Sequence, residues 1–151
     1  MYPKQHLFLG IIFSLIILLI FPQIGLPGFL IIILSSVLID VDHYIYYVYN
    51  KKDWSLKNAY NWHIERGKKE RLLKKERLKY KEIILIFHGI EYLSLLIILS
   101  IIHKFFLWIL IGTIIHMVFD FIEDLNHKNP LYFKLSQIYN FITNKNKKEL
   151  K

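Results

Sequence analysis

The sequence contains four long apolar blocks, and their length is the feature that most constrains the fold. They run from about His6 to Phe21, Gly28 to Tyr49, Ile83 to Ile102 and Phe105 to Leu125. The last three are near the ~20 residues that an α-helix needs to cross a bilayer, and the first is short but can be extended. In a chain that is 54% hydrophobic, these blocks predict an all-α integral membrane bundle of four transmembrane helices.

The segments around these blocks complete a predicted single membrane domain over residues 1–151. The first block has the shape of a signal peptide, but the turn PQIGLPG follows it without a small-residue cleavage site. We therefore interpret this block as a retained helix. Residues 50–82 form a polar loop whose composition favours a basic, partly amphipathic helix that could continue into the third span. Residues 126–151 form an amphipathic and basic tail, in which LYFKLSQIYNFI is typical of a short interfacial helix.

Positive charge is concentrated in the predicted loop. Twelve of the twenty Lys and Arg residues lie between Lys51 and Lys81, in a chain of net charge +8. The positive-inside rule therefore predicts that this loop, the basic tail and both termini are cytoplasmic, in a multi-pass protein of the cell membrane. The charge either sets topology alone or also contacts anionic lipid headgroups of the bilayer. Nucleic-acid binding is not expected, because no base-reading motif accompanies the charge.

Ionisable side chains are predicted to lie at one depth of the bundle. With about 1.5 Å of rise per residue, all four spans contribute such groups to the cytoplasmic half of the bundle. In the three longer spans these groups lie at a depth of about 8–14 Å from the cytoplasmic surface. These groups are His6, Asp40, Asp42, His43, His88, Glu91, His116 and Asp120. An Asp near a helix centre costs about 2.5–3.5 kcal/mol, so this layer requires compensating partners. His63, His103 and His127 lie in predicted loops or turns and are expected to be solvated.

Helical periodicity indicates which of these groups share a face. His116 and Asp120 are four residues apart, and Asp40 and His43 are three apart, so each pair lies on one side of its helix. Asp42 would be about 200° from Asp40 around a regular helix. The sequence therefore leaves two interpretations of Asp42: the helix is bent there, or Asp42 supports the metal ligands from behind.

The layer has the donor chemistry of a metal site. The chain has no cysteine, so any metal must be held by His, Asp or Glu. This donor set suits zinc, with manganese and iron as alternatives, and the number of candidate ligands allows one or two ions. Such ions could activate water for hydrolysis, with Glu91 and Asp42 as candidate catalytic residues as well as ligands. The alternatives are a non-catalytic structural layer and a proton or ion relay.

The ordered motifs resemble a known family. KQHLFLG near the start, IDVDH in the second block and GTIIHMVFD in the fourth are similar to the pattern of the YdjM-like membrane-bound metal-dependent hydrolases. That prokaryotic family is distantly similar to zinc-dependent phospholipase C. The matching positions are His6, Gly10, Asp40, Asp42, His43, Gly112, His116 and Asp120. In the third block the family has a two-histidine segment, whereas this chain has IFHGIEYLS, with His88 and Glu91. The resemblance implies hydrolase activity, and our hypothesis for the substrate is a lipid phosphoester or another membrane-proximal molecule.

Overall fold

The computed structural model describes residues 3–127 and 135–150, and most of these residues are helical. Their α-helices are α1 Pro3–Ile20, α2 Gly25–Leu38, α3 Val41–Lys51, α4 Leu56–Leu73, α5 Ile90–Ile102, α6 Lys104–Asn126 and α7 Gln137–Asn144. One 3-10 turn, Pro22–Ile24, precedes α2, and a longer one, Lys74–Lys79, follows α4. No β-strand occurs within the described residues, which confirms the predicted all-α class.

Helix α6 is at the centre of the fold. It contacts α1, α2 and α5, and α2 also contacts α1. Buried residues recur every three or four positions along α6, so they form a single stripe on one face of the helix. They are Leu110, Gly112, Thr113, His116, Met117, Asp120 and Asp124. Because the later part of this stripe is polar, α6 presents ionisable groups to its neighbours at one end of the bundle.

Small residues allow α1, α2 and α6 to approach one another closely. Gly10 of α1 lies against Ser36 of α2, and Gly112 of α6 lies against Ser35 and the carbonyl oxygen of Ile32. A Cβ atom at either glycine would overlap these neighbours. Small residues at such positions are what allow two helix backbones to come into contact. These contacts therefore fix the spacing of the helices that carry most of the ionisable groups.

Two helical stretches of the described chain are long and apolar enough to cross a bilayer. They are Pro22–Lys51, taken through its bend, and Lys104–Asn126. The apolar helices α1 and α5 are shorter. Large apolar side chains are exposed on the outside of these helices, among them Leu19, Leu34 and Ile101. Two of the four predicted spans thus reach spanning length by this measure.

Helix α5 begins at Ile90, later than the predicted start of the third span near Ile83. Residues 81–89 are not helical. The amide of Leu85 donates to Gln137 Oε1 at 3.1 Å, and the amide of Phe87 donates to Asp42 Oδ2 at 3.0 Å. Side chains that are distant in sequence thus satisfy backbone donors that a helix would otherwise satisfy itself. The loop helix consequently does not continue into the third span.

The basic loop is helical, as its composition predicts, and the tail lies beside it. Helix α4 contacts α3, and its Arg66 donates to the carbonyl of Lys81 at 2.7 Å. Lys148 in the tail accepts from the amide of Lys81 at 2.8 Å and donates to the carbonyl of Lys79 at 2.9 Å. Helix α7 overlaps the predicted interfacial segment and extends two residues beyond it, while residues 131–134 of that segment lie outside the described residues. The tail and the loop therefore meet on one side of the molecule.

Candidate metal centre

His and Asp side chains from distant parts of the chain meet at one level of the fold. They come from α1, from the junction of α2 and α3, from the segment before α5 and from α6. Three overlapping groups each place their ligand atoms within 4.8 Å of one another. The groups are His6, Asp40 and His116; Asp40, His43 and His88; and His88, His116 and Asp120. This largely buried cluster could hold a metal ion.

The Nε2 atoms of His88 and His116 face each other at 3.0 Å in the middle of the cluster. His116 Nδ1 lies 2.9 Å from the carbonyl oxygen of Ser36, which can only accept a hydrogen bond. His88 Nδ1 lies 3.0 Å from Asp42 Oδ2 in the same way. With a proton on each Nδ1, the neutral rings present two Nε2 lone pairs to each other. A cation or an additional proton between these atoms is needed to make the contact favourable.

Two carboxylates surround the facing nitrogens. Asp40 Oδ1 lies 3.6 Å from Nε2 of His88 and 3.6 Å from Nε2 of His116. Asp120 Oδ2 lies 4.0 Å and 3.6 Å from the same two atoms. Ligands at zinc-like bond lengths of about 2.0–2.1 Å stand about 3.3 Å apart in a tetrahedral site. The measured separations lie on both sides of this value, so the donor set fits a bound divalent ion.

His6 brings α1 into the cluster. Its side chain is almost fully buried, its ring stacks on His116 at a centroid distance of 3.8 Å, and its Nε2 lies 3.2 Å from Asp120 Oδ1. Neither ring nitrogen of His6 makes a hydrogen bond of acceptable geometry. A buried polar group in this state is costly. Coordination of a metal ion would satisfy it, which is a second reason that the residues fit a metal.

The structure at the junction of α2 and α3 shows which of the two interpretations of Asp42 applies. The amide of Asp40 bonds to the carbonyl of Val37 at 3.3 Å, a tight turn that interrupts the regular helix. Asp42 is buried, and its Oδ2 accepts from the Phe87 amide as well as bonding to His88. Both interpretations therefore apply, because the helix is broken here and Asp42 lies behind His88. A carboxylate in this position fixes the tautomer and the orientation of the imidazole.

Glu91 has different partners from those that its sequence position predicts. Its carboxylate accepts from the hydroxyl of Ser136 and from the amides of Gln137, at 3.2 Å, and Ile138, at 3.1 Å. These partners make Glu91 a cap for the amino-terminal end of α7. In a helix, the three-residue spacing of His88 and Glu91 would place both side chains on one face. The backbone at His88 is not helical, and the two side chains bond to different partners.

The cluster is partly open on the side of Asp40 and His43. The side chains of these residues are 19% and 33% exposed, whereas those of His6, His88, His116 and Asp120 are at most 5% exposed. His43 Nε2 lies 3.6 Å from Asp40 Oδ1. Substrate and water must be able to reach a catalytic metal, and this side of the cluster offers such access.

His63 of α4 flanks this open side, and the expectation that it is solvated is wrong. It is half-buried, its Nε2 donates to the carbonyl of His43 at 2.9 Å, and the two rings meet edge to face at 5.0 Å. Burial lowers the pKa of His63 below its usual value. The short connection between α3 and α4 is the sequence signal for this contact, since consecutive elements are usually neighbours in space.

No protein family, curated protein or solved structure matches this chain. Its chemistry is therefore indicated by the residues themselves. Four imidazoles and two carboxylates converge, with Asp42 behind His88 and the Ser36 carbonyl behind His116. Second partners of this kind are typical of metal-binding histidines.

Proposed function

We propose that the chain is a multi-pass membrane protein whose His/Asp cluster binds a divalent metal ion and catalyses hydrolysis. The observation that carries the proposal is the 3.0 Å contact between the Nε2 atoms of His88 and His116. A cation between these atoms removes the repulsion of their lone pairs. Asp40 and Asp120 add negative charge within 4.0 Å of the same atoms, which favours a divalent ion.

The proposed bilayer position is supported by the outer surface of the helices. Apolar side chains cover the exposed sides of α1, α2 and α5, and a hydrocarbon environment suits such a surface better than water. We propose that α1 and α5 cross the membrane together with the two helices of spanning length, which gives a four-span bundle in the cell membrane. The basic loop and both termini would be cytoplasmic. The contact between Lys81 and Lys148 agrees with this topology, since it brings loop and tail to one side. Residues 51–81 would then face anionic lipid headgroups.

Zinc is the ion that we propose first, with manganese and iron as alternatives and with one or two ions bound. Imidazole suits zinc and iron, while the carboxylates also suit manganese. A divalent ion bound at such a site polarises a phosphoryl or carbonyl oxygen and makes water a nucleophile near neutral pH. The motifs' resemblance to the YdjM-like hydrolases supports this chemistry, and a lipid phosphoester is the substrate class that suits a site within a membrane.

The residues of the cluster would have different roles according to their positions. His88 and His116 are oriented by Asp42 and by the Ser36 carbonyl, so they are suited to hold the ion. Asp40 and His43 line the open side, where a substrate would enter. Asp40 Oδ1 lies 3.6 Å from His43 Nε2, so Asp40 would fix the orientation of the His43 ring at this opening.

A proton relay or a structural layer is the second candidate, and one observation favours it. His6, Asp120, His116, His88 and Asp42 form an unbroken series of contacts, each no longer than 4.0 Å. Such a series of Asp and His residues within a membrane also suits proton transfer. In that case a shared proton, rather than a metal, would lie between His88 and His116.

Metal analysis of the full chain, purified gently in mild detergent, separates the two candidates. We expect about one equivalent or more of transition metal, or its recovery after reconstitution with zinc. Asp120→Asn should lower the metal content, while Glu76→Gln, which changes an exposed acid in the loop, should not. A metal-free protein that regains none on reconstitution would contradict the hydrolase proposal.

The hydrolase step needs its own assay. Zinc-loaded protein should cleave a chromogenic phosphodiester or a fluorescent phospholipid, and Asp120→Asn should reduce the rate in proportion to its lost metal. Stoichiometric metal binding without cleavage of either substrate would restrict the site to a structural role or to a different reaction.

A further inference from the structure

Helix α7 has its polar side buried and its apolar side exposed. Gln137, Asn140 and Asn144 are buried, whereas Ile138, Phe141 and Ile142 are 61%, 58% and 59% exposed. The three polar residues lie at positions i, i+3 and i+7, which is one face of a helix. A surface helix of a soluble protein has the opposite arrangement, with its apolar face against the core. The exposed face of α7 therefore calls for an apolar environment outside the chain.

The buried face of α7 holds the segment that carries His88. Gln137 Oε1 accepts from the Leu85 amide, and Gln137 Nε2 donates to the His88 carbonyl. Asn144 accepts from the amide of Glu82 and donates to its carbonyl, both at 2.9 Å. These side chains take the place of a partner strand for backbone that is neither helical nor in a sheet. If α7 moved away, the segment would lose these bonds.

The position of α7 puts its apolar face beside the proposed bilayer surface. Glu91, in the first turn of α5, caps the start of α7 and ties it to the end of a proposed span. Exposed lysines flank the apolar residues: Lys145, whose Nζ lies 5.8 Å from the centre of the Phe141 ring, and Lys148. An exposed apolar face bordered by cations is the chemistry of a helix that lies in an anionic lipid interface.

We propose that α7 binds the anionic phospholipid interface through Ile138, Phe141 and Ile142, and that this binding holds residues 82–88 in place. His88 is thereby kept in position for the metal centre, which makes α7 a positioning element. The inference rests on the proposed membrane location, and its link to the metal rests on the proposed function. Lipid contact and the order of residues 82–88 can both be measured without metal, so a failure here is distinguishable from a failure of the hydrolase proposal.

Lipid contact can be tested with spin labels, because the chain has no cysteine to remove. Single-cysteine variants Phe141→Cys and Ile138→Cys carry the label, and Asn146→Cys, an exposed position just beyond α7, is the matched control. The full chain is placed in nanodiscs of phosphatidylcholine and phosphatidylglycerol. We expect positions 138 and 141 to be accessible to oxygen and shielded from a water-soluble nickel reagent, with the reverse at 146. Equal access to nickel at all three positions, or shielding from both reagents as in a protein–protein contact, would overturn the proposal.

Coupling to the His88 segment is tested by amide hydrogen exchange on the metal-free chain in the same nanodiscs. Phe141→Asp puts a charge on the exposed apolar face, and we expect the Leu85 amide to exchange about tenfold faster or more. Asn146→Asp adds the same charge off that face and should leave exchange unchanged. Phe141→Gln, which adds no charge, should give a smaller change in the same direction. Unchanged exchange at Leu85 in both Phe141 variants would overturn the coupling.

Discussion

Asp42 Oδ2 lies 3.0 Å from His88 Nδ1, on the side of the imidazole away from His116. The same oxygen accepts from the Phe87 amide at 3.0 Å. Asp42 thus holds both the ring of His88 and the backbone beside it. The broken helix between α2 and α3 makes this contact possible, since Asp42 would otherwise point away from the side on which Asp40 lies.

Replacement of Asp42 by Asn should weaken metal binding without removing the site. The amide is close in size to the carboxylate, but it is neutral and no longer favours the Nδ1–H tautomer of His88. Loss of such a supporting partner typically lowers metal affinity by about 10–100-fold. Competition with a chromogenic zinc chelator measures this change, and Glu76→Gln in the exposed loop is the control. An unchanged affinity would show that Asp42 does not act through His88.

The stabilisation provided by zinc should disappear as the pH falls. Imidazoles bind metal only in their neutral form and usually titrate near pH 6.5, so protons compete with the ion below that value. A ligand that binds the folded chain raises its midpoint of thermal unfolding. We therefore expect added zinc to raise the midpoint at about pH 7.5 and to have little effect at about pH 5. In Asp120→Asn zinc should have little effect at either pH, and a rise that persists at low pH would contradict the His-rich site.

Much of the site could be predicted because depth in a bundle depends only on hydropathy and helix rise. His6, Asp40 and His116 are far apart in sequence, yet the depth calculated for each residue along its own span places all three at one level of the bundle. Their ligand atoms lie within 4.8 Å of one another in the structure. The i,i+4 spacing of His116 and Asp120 likewise predicts that they share a face, and both are buried on the same stripe of α6.

The remaining features depend on hydrogen bonds between residues that are distant in sequence, and no periodic pattern of residues indicates such bonds. No Gly or Pro marks the break before Asp42, so the pattern alone could not decide which way it points. The late start of α5 depends on Gln137, which is far along the chain and bonds to the Leu85 amide. The partners of Glu91 have the same cause, because the backbone before it is not helical and the three-residue spacing from His88 therefore does not define a shared face.

Replacement of Gly112 by Ala should separate α2 from α6 and impair the site. A Cβ at this position would overlap the carbonyl oxygen of Ile32, which is backbone and cannot rotate away. Overpacking of this kind costs about 1–3 kcal/mol of folding free energy. We expect a lower midpoint of thermal unfolding and weaker zinc binding, because His116 lies one turn beyond Gly112 on the same face.

Gly67→Ala is the matched control for this substitution. Among the described residues, a Cβ at Gly67, in α4, would meet the Arg71 guanidinium alone, at 3.8 Å, which is ordinary contact. Ala in a helix interior is favoured over Gly by about 0.5–1 kcal/mol, so this variant should be as stable as the parent or more stable. Equal destabilisation by the two substitutions would mean that close contact between α2 and α6 is not the cause.

Replacement of Glu91 by Gln distinguishes its sequence-based role from its structural one. As a metal ligand, Glu91 would be needed for the ion to bind, and as a general base its loss would lower the rate by about 10²–10⁴-fold. As the cap of α7, it provides negative charge to the amides of Gln137 and Ile138, and Gln offers an NH₂ group where one accepting oxygen was.

We therefore expect Glu91→Gln to retain its full metal content at saturating zinc, while the amides of Gln137 and Ile138 exchange faster with solvent. Metal affinity should fall less than in Asp120→Asn, because Glu91 affects His88 only indirectly, through the hydrogen bonds that α7 makes to the His88 segment. Metal analysis and amide hydrogen exchange on the same preparation give both readouts, with Glu76→Gln as the control for loss of an acid. If the variant lost bound metal at saturating zinc while amide hydrogen exchange in α7 stayed unchanged, Glu91 would be a metal ligand and not the cap of α7.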